Sequence, residues 1–309
     1  MSPFSPRIRK DLNTDALFAI VKSAFEKISD ARKLPRNQLV DALMSGLALF
    51  SLKDPSLLAF DGRRGDETIK NIYSIENIPS DTNMRKILDE VDPTTLYPIF
   101  KKLLAKLQRG KGLEDMVFLN GHYLISNDGT GYFSSEKVHC DECLVKKHKI
   151  GRVEYHHSFL GSVIVHPDKK VVIPLAPEPI KNTDGSVKND CERNASKRLA
   201  EGFRRNHPHM KAIVVEDALA SNAPHLKDLS RHDLRYIIGI KPKSHTYIYA
   251  LLNETETTTH EMTDDEGTHH RFRFLNNVSL NESNADVRTN VIEYWETKPN
   301  GKQQHFSWV

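Results

Sequence analysis

Two hydrophobic periods divide the chain. Up to about residue 110 the apolar positions recur every three or four residues, and beyond residue 115 they alternate and become β-branched. A helical front is therefore predicted ahead of a strand-rich remainder. In the front, Leu17, Ile20, Val21, Ala24, Phe25 and Ile28 form one apolar face from Asp15 onward. Pro35 is read as opening a second, more apolar helix in PRNQLVDALMSGLALFSL. Ser56 to Phe60 reads as a short helix and the following DGRRGDET as a loop. Ser80 is placed to cap SDTNMRKILDEV, and Asp92-Pro93 opens a further helix through Gln108 that ends at Gly110. Residues 1–13 read as a mobile lead, 14–110 as an all-helical domain, and RGKGLED as a linker. Two short helices before a basic one suit a helix-turn-helix that binds DNA, or equally a plain bundle.

In the remainder, strands are expected at 117–127, 155–165 and 171–176, the last two as a hairpin across His166-Pro167-Asp168. A polar segment with Asp184-Gly185 comes next. A helix from about Asp190 to Arg205 carries Ala195, Leu199 and Phe203 on one face and is stopped by Pro208. Strand 211–216 leads to Asp217, Pro224 to Leu229 forms a short helix, and RYIIGIK is another strand. This order matches an RNase-H-like mixed sheet, here over 115–242, within an α+β or α/β chain. From Lys243 onward no helix is expected: IYALLN, HRFRFLNNVSL, TNVIEYWET and QQHFSWV read as strands, so 243–309 is a strand-rich segment that stops inside a strand.

Composition narrows the class. The 309 residues are 38% hydrophobic and 28% charged with a net charge of only +3, ordinary for a globular protein of two or three domains. The basic residues are unevenly spread: Arg7, Arg9 and Lys10; Lys101, Lys102, Lys106, Arg109 and Lys111; and Lys146, Lys147, Lys149 and Arg152. Such clusters suit a polyanion or are simply solvated faces. Three cysteines argue against a disulfide framework and for a reducing, cytoplasmic setting, and neither a signal peptide nor an apolar run of about 18 residues is present.

The candidate chemistry centres on two acids. YLISNDGTGYFSS sets Asp128 at the end of an apolar run beside Gly129 and Gly131, either a presented metal ligand or an Asp-Gly hairpin turn. KAIVVEDALAS repeats the pattern with Asp217, and two strands each ending in Asp are what a two-metal phosphoryl-transfer site needs. Asn222 and His225 follow closely enough to support Asp217. Lys241 and Lys243 are placed to touch phosphate or to stay solvated, and Arg193, Lys197 and Arg198 read as solvated. Separately, Cys140-x-x-Cys143 has the spacing of a metal hook, with His139, His148, His156, His157 and Cys191 as further donors. The preferred structural zinc set is Cys140, Cys143, Cys191 and one of His156 or His157, the alternative being a reduced cysteine pair.

SNDGTGYFSS, VVIPLAPEPI, DGSVKNDCERNASKRL, VVEDALASNAPHL and RYIIGIKPKSH together resemble the DDE transposases of bacterial insertion sequences, the cut-and-paste group with an RNase-H-like core. The resemblance covers about residues 115 to 309 and is weaker in the front. It implies that Asp128 and Asp217 are the first two acids of a triad holding two Mg²⁺ ions, with Mn²⁺ as a substitute. The implied partners are terminal inverted repeats and target DNA, bound by a homo-oligomer and with no membrane involved. It also implies a third acid, a Glu in a Tyr/Arg/Glu/Lys signature, on a helix after a strand-rich insertion. Residues 243–309 resemble that insertion, so the Glu is expected beyond Val309, and the chain is expected to be a truncated or remnant copy unable to cut DNA. Glu293 and Glu296 are in-chain candidates in name only, since VIEYWE alternates as a strand. The alternative function is a protein that binds inverted repeats or inhibits the intact enzyme. A different RNase-H-like nuclease would lack the long insertion.

Overall fold

The computed structural model describes residues 12–149, 151–182 and 188–309, with the side chains of 188–191 excepted. It divides into two compact units, Met1–Asp115 and Met116–Val309. The polar Asp184-Gly185 segment and the first eleven residues of the expected lead lie outside the described residues.

The first unit is helical because its caps and apolar faces agree. Asn13 accepts the Ala16 amide at 2.8 Å and starts α1 (Thr14–Phe25). The central helix α2 (Leu39–Leu52) is buried on most sides, Ala42, Met44 and Ala48 completely. It begins at Leu39 rather than near Pro35, because the Arg32 guanidinium grips the Asp30 carboxylate and the Asn37 carbonyl and holds 30–37 as a loop. Ser56 caps α3 (Leu57–Asp61) and Ser80 caps α5 (Asp81–Asp89), as their sequences predict. Part of the stretch read as a loop, DGRRGDET, instead starts α4 (Glu67–Tyr73). Asp66 accepts the Thr68 and Ile69 amides there, and Ile69 and Tyr73 reach the core. A 3₁₀ turn from Pro93 leads into α6 (Tyr97–Arg109), which buries Ile99 and Leu104 and leaves Lys101 and Lys102 exposed. One hydrophobic cluster gathers these helices around Met44, Phe60 and Met84. Asp41, itself buried, accepts the Glu76 and Asn77 amides at 3.0 Å each and fixes the turn after α4.

The second unit carries a mixed sheet and a smaller antiparallel one. The mixed sheet contains β1 (Tyr123–Ser135), β2 (Leu144–Lys147), β3 (Val153–Val165), the short β4 (Ile173–Pro174) and β5 (Glu178–Ile180), β6 (Ala212–Glu216) and β7 (Arg235–Ile238). Along the main path the order is β2-β3-β1-β6-β7, with β4 and β5 against β3. β3 is antiparallel to β1, whereas β6 and β7 continue parallel. With α7 (Lys188–Asn206) before β6 and α8 (Ala223–Arg231) before β7, this is the sheet order of an RNase-H-like core. The β1 register differs from the expected 117–127. Residues 119–121 form a 3₁₀ turn, and the strand runs through Asp128-Gly129 to Ser135. The Asp-Gly turn signal is overridden because β3 is equally long: it places Gly161 opposite Asp128 and carries the ladder past a bulge between Gly131 and Phe133. The expected hairpin at 171–176 shrinks to the pairing of Ile173 and Pro174, Val171 and Val172 being exposed.

The segment after Lys243 corrects the all-strand expectation. TYIYALLNE is a helix, α9 (Thr246–Glu254), whose Ile248 and Leu252 are buried four residues apart on one face. Then β8 (Thr258–Thr263), β9 (His269–Ser279), β10 (Arg288–Thr297) and β11 (Gln303–Trp308) form an antiparallel sheet in the order β11-β10-β9-β8. Its last strand reaches across to the mixed sheet. Ile238 and Val309 exchange two 2.9 Å backbone bonds, and the Ile240 amide donates to the Ser307 carbonyl at 2.9 Å. Among the described residues no helix is long and apolar enough to cross a membrane.

Candidate active site

The mixed sheet brings the two sequence-predicted acids together. β1 and β6 pair in parallel as far as Ser126 and Val215. The next residues, Asn127 and Glu216, join through their side chains, the amide donating to the carboxylate at 2.9 Å. One residue further, Asp128 and Asp217 are both exposed. At this point β6 ends while β1 continues against β3 alone, so a cleft opens at the carboxyl ends of parallel strands, where α/β sheets commonly take ligands. Both aspartates line a cavity of about 190 Å³ there, together with Glu192 and Arg193 of α7 and Asn222 and His225.

The floor of this cavity is a hydrogen-bonded chain. His225 Nε2 donates to Glu216 Oε2 at 2.5 Å, with side-chain exposures of only 7% and 6%. The other imidazole nitrogen receives the Ser196 hydroxyl at 3.3 Å. Asn127, Glu216, His225 and Ser196 thus link β1, β6, α8 and α7 beneath the aspartates. Asn222 caps α8 by accepting the His225 amide at 3.2 Å, and Asp217 Oδ1 accepts the Leu219 amide at 2.9 Å, which orients its carboxylate. Two glycines admit close approach. A β-carbon on Gly129 would lie 2.9 Å from Glu192 Oε1, and one on Gly239 would lie 3.3 Å from the Ala218 backbone nitrogen.

Carboxylate oxygens suit hard cations such as Mg²⁺ and Mn²⁺. Two aspartates and two glutamates share the cavity, yet among the described residues no three carboxylates bring oxygens within 4.8 Å of one another. Glu293 and Glu296 do not line it. Glu293 is 2% exposed within the antiparallel sheet, where Arg273 Nε donates to it at 2.7 Å and His305 at 3.0 Å. Glu296 accepts the Tyr294 hydroxyl at 3.2 Å. Of the cations considered, Arg193 lines the cavity. Arg198 instead holds Glu178 and the Pro179 carbonyl, tying α7 to β5, while Lys197, Lys241 and Lys243 are exposed. Glu192 and Glu216 had no sequence signal of their own, except that Glu216 immediately precedes Asp217.

The cysteine motif closes on itself elsewhere. Cys140 Sγ and Cys143 Sγ are 3.7 Å apart, and His157 Nε2 lies 3.2 Å and 3.3 Å from them. This is the one group of three His, Cys, Asp or Glu side chains among the described residues that could hold a metal ion. His156 is not in it, since neighbouring residues of a strand face opposite ways. His148 bonds Glu154, whose carboxyl is held at about 2 by the Ser134 hydroxyl first and His148 second. His139 stacks on Tyr155. The Cys191 side chain lies outside the described residues. Burial pushes both the Cys143 thiol and the Tyr132 phenol above their ordinary values.

No protein-family model and no curated protein matches the chain. Among solved structures it is similar to a piggyBac transposase synaptic complex with hairpin DNA, at 10% identity over 98% of this chain and 62% of that one, with a TM-score of 0.43. It is also similar to a pre-cleavage Mos1 transpososome, at 10% identity over 70% of this chain and 64% of that one, with a TM-score of 0.19. A Mos1 mariner paired end complex with Mn is similar at 13% identity, over 77% of this chain and 72% of that one, with a TM-score of 0.21. The chain therefore spans less than two thirds of the piggyBac chain and of the pre-cleavage Mos1 chain.

Proposed function

We propose that the chain is a DNA transposase of the DDE type from an insertion sequence, acting in the cytoplasm on the ends of its element. The observation that carries this reading is the emergence of Asp128 and Asp217, both exposed, from adjacent parallel strands into one cavity. Mg²⁺ or Mn²⁺ held by these carboxylates supplies Lewis-acid activation of the attacking oxygen and stabilisation of the leaving one in hydrolysis and strand transfer. Asp217 is held in place for that task by the Leu219 amide, and Asp128 by the β1–β3 ladder. The Asn127–Glu216–His225 chain fixes the separation of the two strand ends. The helical unit, with Lys101, Lys102 and Arg109 exposed along α6, is the part proposed to bind terminal inverted repeats through phosphate contacts, and the protein oligomerises on them.

A second reading is favoured by the lack of a three-carboxylate cluster among the described residues: the chain binds element ends, or the intact enzyme, without cutting. One experiment separates the two. The full chain and its Asp128→Asn and Asp217→Asn variants are titrated with Mn²⁺, then incubated with a duplex carrying the DNA that flanks the coding sequence. Mn²⁺-dependent nicking that both variants lose, with DNA binding retained, supports the enzyme. Mn²⁺ binding lost in the variants, with a DNA shift but no nicking in any chain, supports the binding protein. A wild-type chain that takes up neither Mn²⁺ nor DNA overturns both.

A further inference from the structure

The cluster of Cys140, Cys143 and His157 has the dimensions of a metal site. Zinc binds thiolate sulfur at about 2.3 Å and imidazole nitrogen at about 2.0–2.1 Å in a tetrahedron, which sets the sulfurs about 3.8 Å apart and each sulfur about 3.6 Å from the nitrogen. The observed separations are 3.7 Å between the sulfurs and 3.2 and 3.3 Å to His157 Nε2. The sulfur pair fits as it stands, and a shift of a few tenths of an ångström in the imidazole completes the fit.

We infer that Cys140, Cys143 and His157 bind one zinc ion that staples the loop between β1 and β2 onto β3. Two further observations support the assignment. The Cys140 amide donates to Cys143 Sγ at 3.3 Å, while the Cys143 amide donates to the Cys140 carbonyl at 3.2 Å. These contacts close the four-residue knuckle that points both sulfurs the same way. The imidazole is also held from outside: Tyr132 stacks on His157 with ring centroids 5.9 Å apart, and Phe133 tilts against it at 5.8 Å. Two sulfurs and an imidazole form a soft, borderline donor set that selects zinc over the magnesium proposed for the aspartates. Among the described residues these three ligands fill three of the four tetrahedral positions.

The site lies next to the bulge between Gly131 and Phe133, where the β1–β3 register shifts and His157 pairs with Phe133. Its role is structural: it secures the ladder on the side where the ladder is irregular. It rests on nothing proposed for Asp128 and Asp217.

The test is metal analysis of the full chain, expressed with added zinc and dialysed under reducing conditions. About one zinc per chain is expected, retained in His156→Gln and lost in Cys140→Ser/Cys143→Ser and in His157→Gln. Chelation is expected to lower the melting temperature of the wild type. Replacement of zinc by Co²⁺ should produce a thiolate-to-cobalt charge-transfer band and tetrahedral d–d bands, a readout that needs no variant to fold. A wild-type chain without stoichiometric zinc and without the cobalt bands overturns the assignment. So does zinc retained in the double cysteine variant, or a Cys140–Cys143 disulfide seen by mass in the protein as purified.

Discussion

Asn127 donates to Glu216 at 2.9 Å, one residue before β1 and β6 each present an exposed aspartate. Because the same glutamate also accepts from His225, a single buried carboxylate determines how two strands and α8 meet under the cavity. Glu216→Ala leaves the Asn127 amide and the His225 ring without their acceptor. Leaving buried donors unsatisfied costs about 1–3 kcal/mol each, so a loss of about 2–6 kcal/mol is expected. Urea unfolding measures it, and a midpoint equal to wild type would mean that the network holds nothing together.

Gly129 and Gly239 should respond differently to the same added methyl group. At 239 the β-carbon meets backbone, the Ala218 nitrogen at 3.3 Å, so Gly239→Ala must push the chain beside Asp217. A loss of about 1–3 kcal/mol is expected, typical of overpacking, with weakened Mn²⁺ binding. At 129 it meets the side chain of Glu192, Oε1 at 2.9 Å, rather than backbone, so Gly129→Ala should lower the melting temperature less than Gly239→Ala does. Calorimetry on both variants checks the contrast, which fails if the two shifts are equal.

In the helical unit, Asp41→Ala removes the acceptor for two amides, those of Glu76 and Asn77. Its 3% exposure leaves little room for water to replace it. A destabilisation of about 2–3 kcal/mol is expected from the two orphaned donors. Hydrogen exchange at Glu76 and Asn77 should accelerate in the variant.

Asp264 sets a pH dependence in the β8–β9 hairpin. The Thr268 amide first, and then His270, hold its carboxyl below the ordinary value of 3.8. A carboxyl lowered by folding stabilises the native state at pH values above its unfolded value, and that stabilisation disappears as the pH falls through the lower folded value. Asp264→Asn should therefore melt below wild type at pH 6, with the gap narrowing once the pH drops under about 4. Melting curves from pH 6 to pH 3 test this; a gap that widens on acidification would reverse the sign.

Local signals were legible where they were decided locally. Ser56 and Ser80 cap their helices because a hydroxyl three residues before an amide needs no tertiary partner. Asp128-Gly129 was ambiguous because the choice between turn and strand belongs to β3, 33 positions away at Gly161 in the pairing register. The stretch around YIYALL satisfies both periods, and the burial of Ile248 and Leu252 selects the helix. The helix α4 was hidden by its polar start, since Asp66 and Glu67 read as loop until Ile69 and Tyr73 find the core. In the cavity, Asp217 was visible at the end of its β-branched run, while Glu216 beside it looked like one more polar residue. Its importance comes from Asn127 and His225, which only folding brings near. The choice of His157 over His156 likewise rests on which strand face the cysteines approach.

The backbone bonds that join Ile238 to Val309 and Ile240 to Ser307 also constrain the order of assembly. During synthesis the outer edge of β7 has no partner until some seventy further residues have been made, and an open strand edge in a nascent chain invites pairing with another molecule. Contacts so distant in sequence form slowly, because a long loop must close before any bond rewards it. Residues 307–309 therefore act as a latch on β7, whose outer edge along Arg235–Ile238 stays open until they are made.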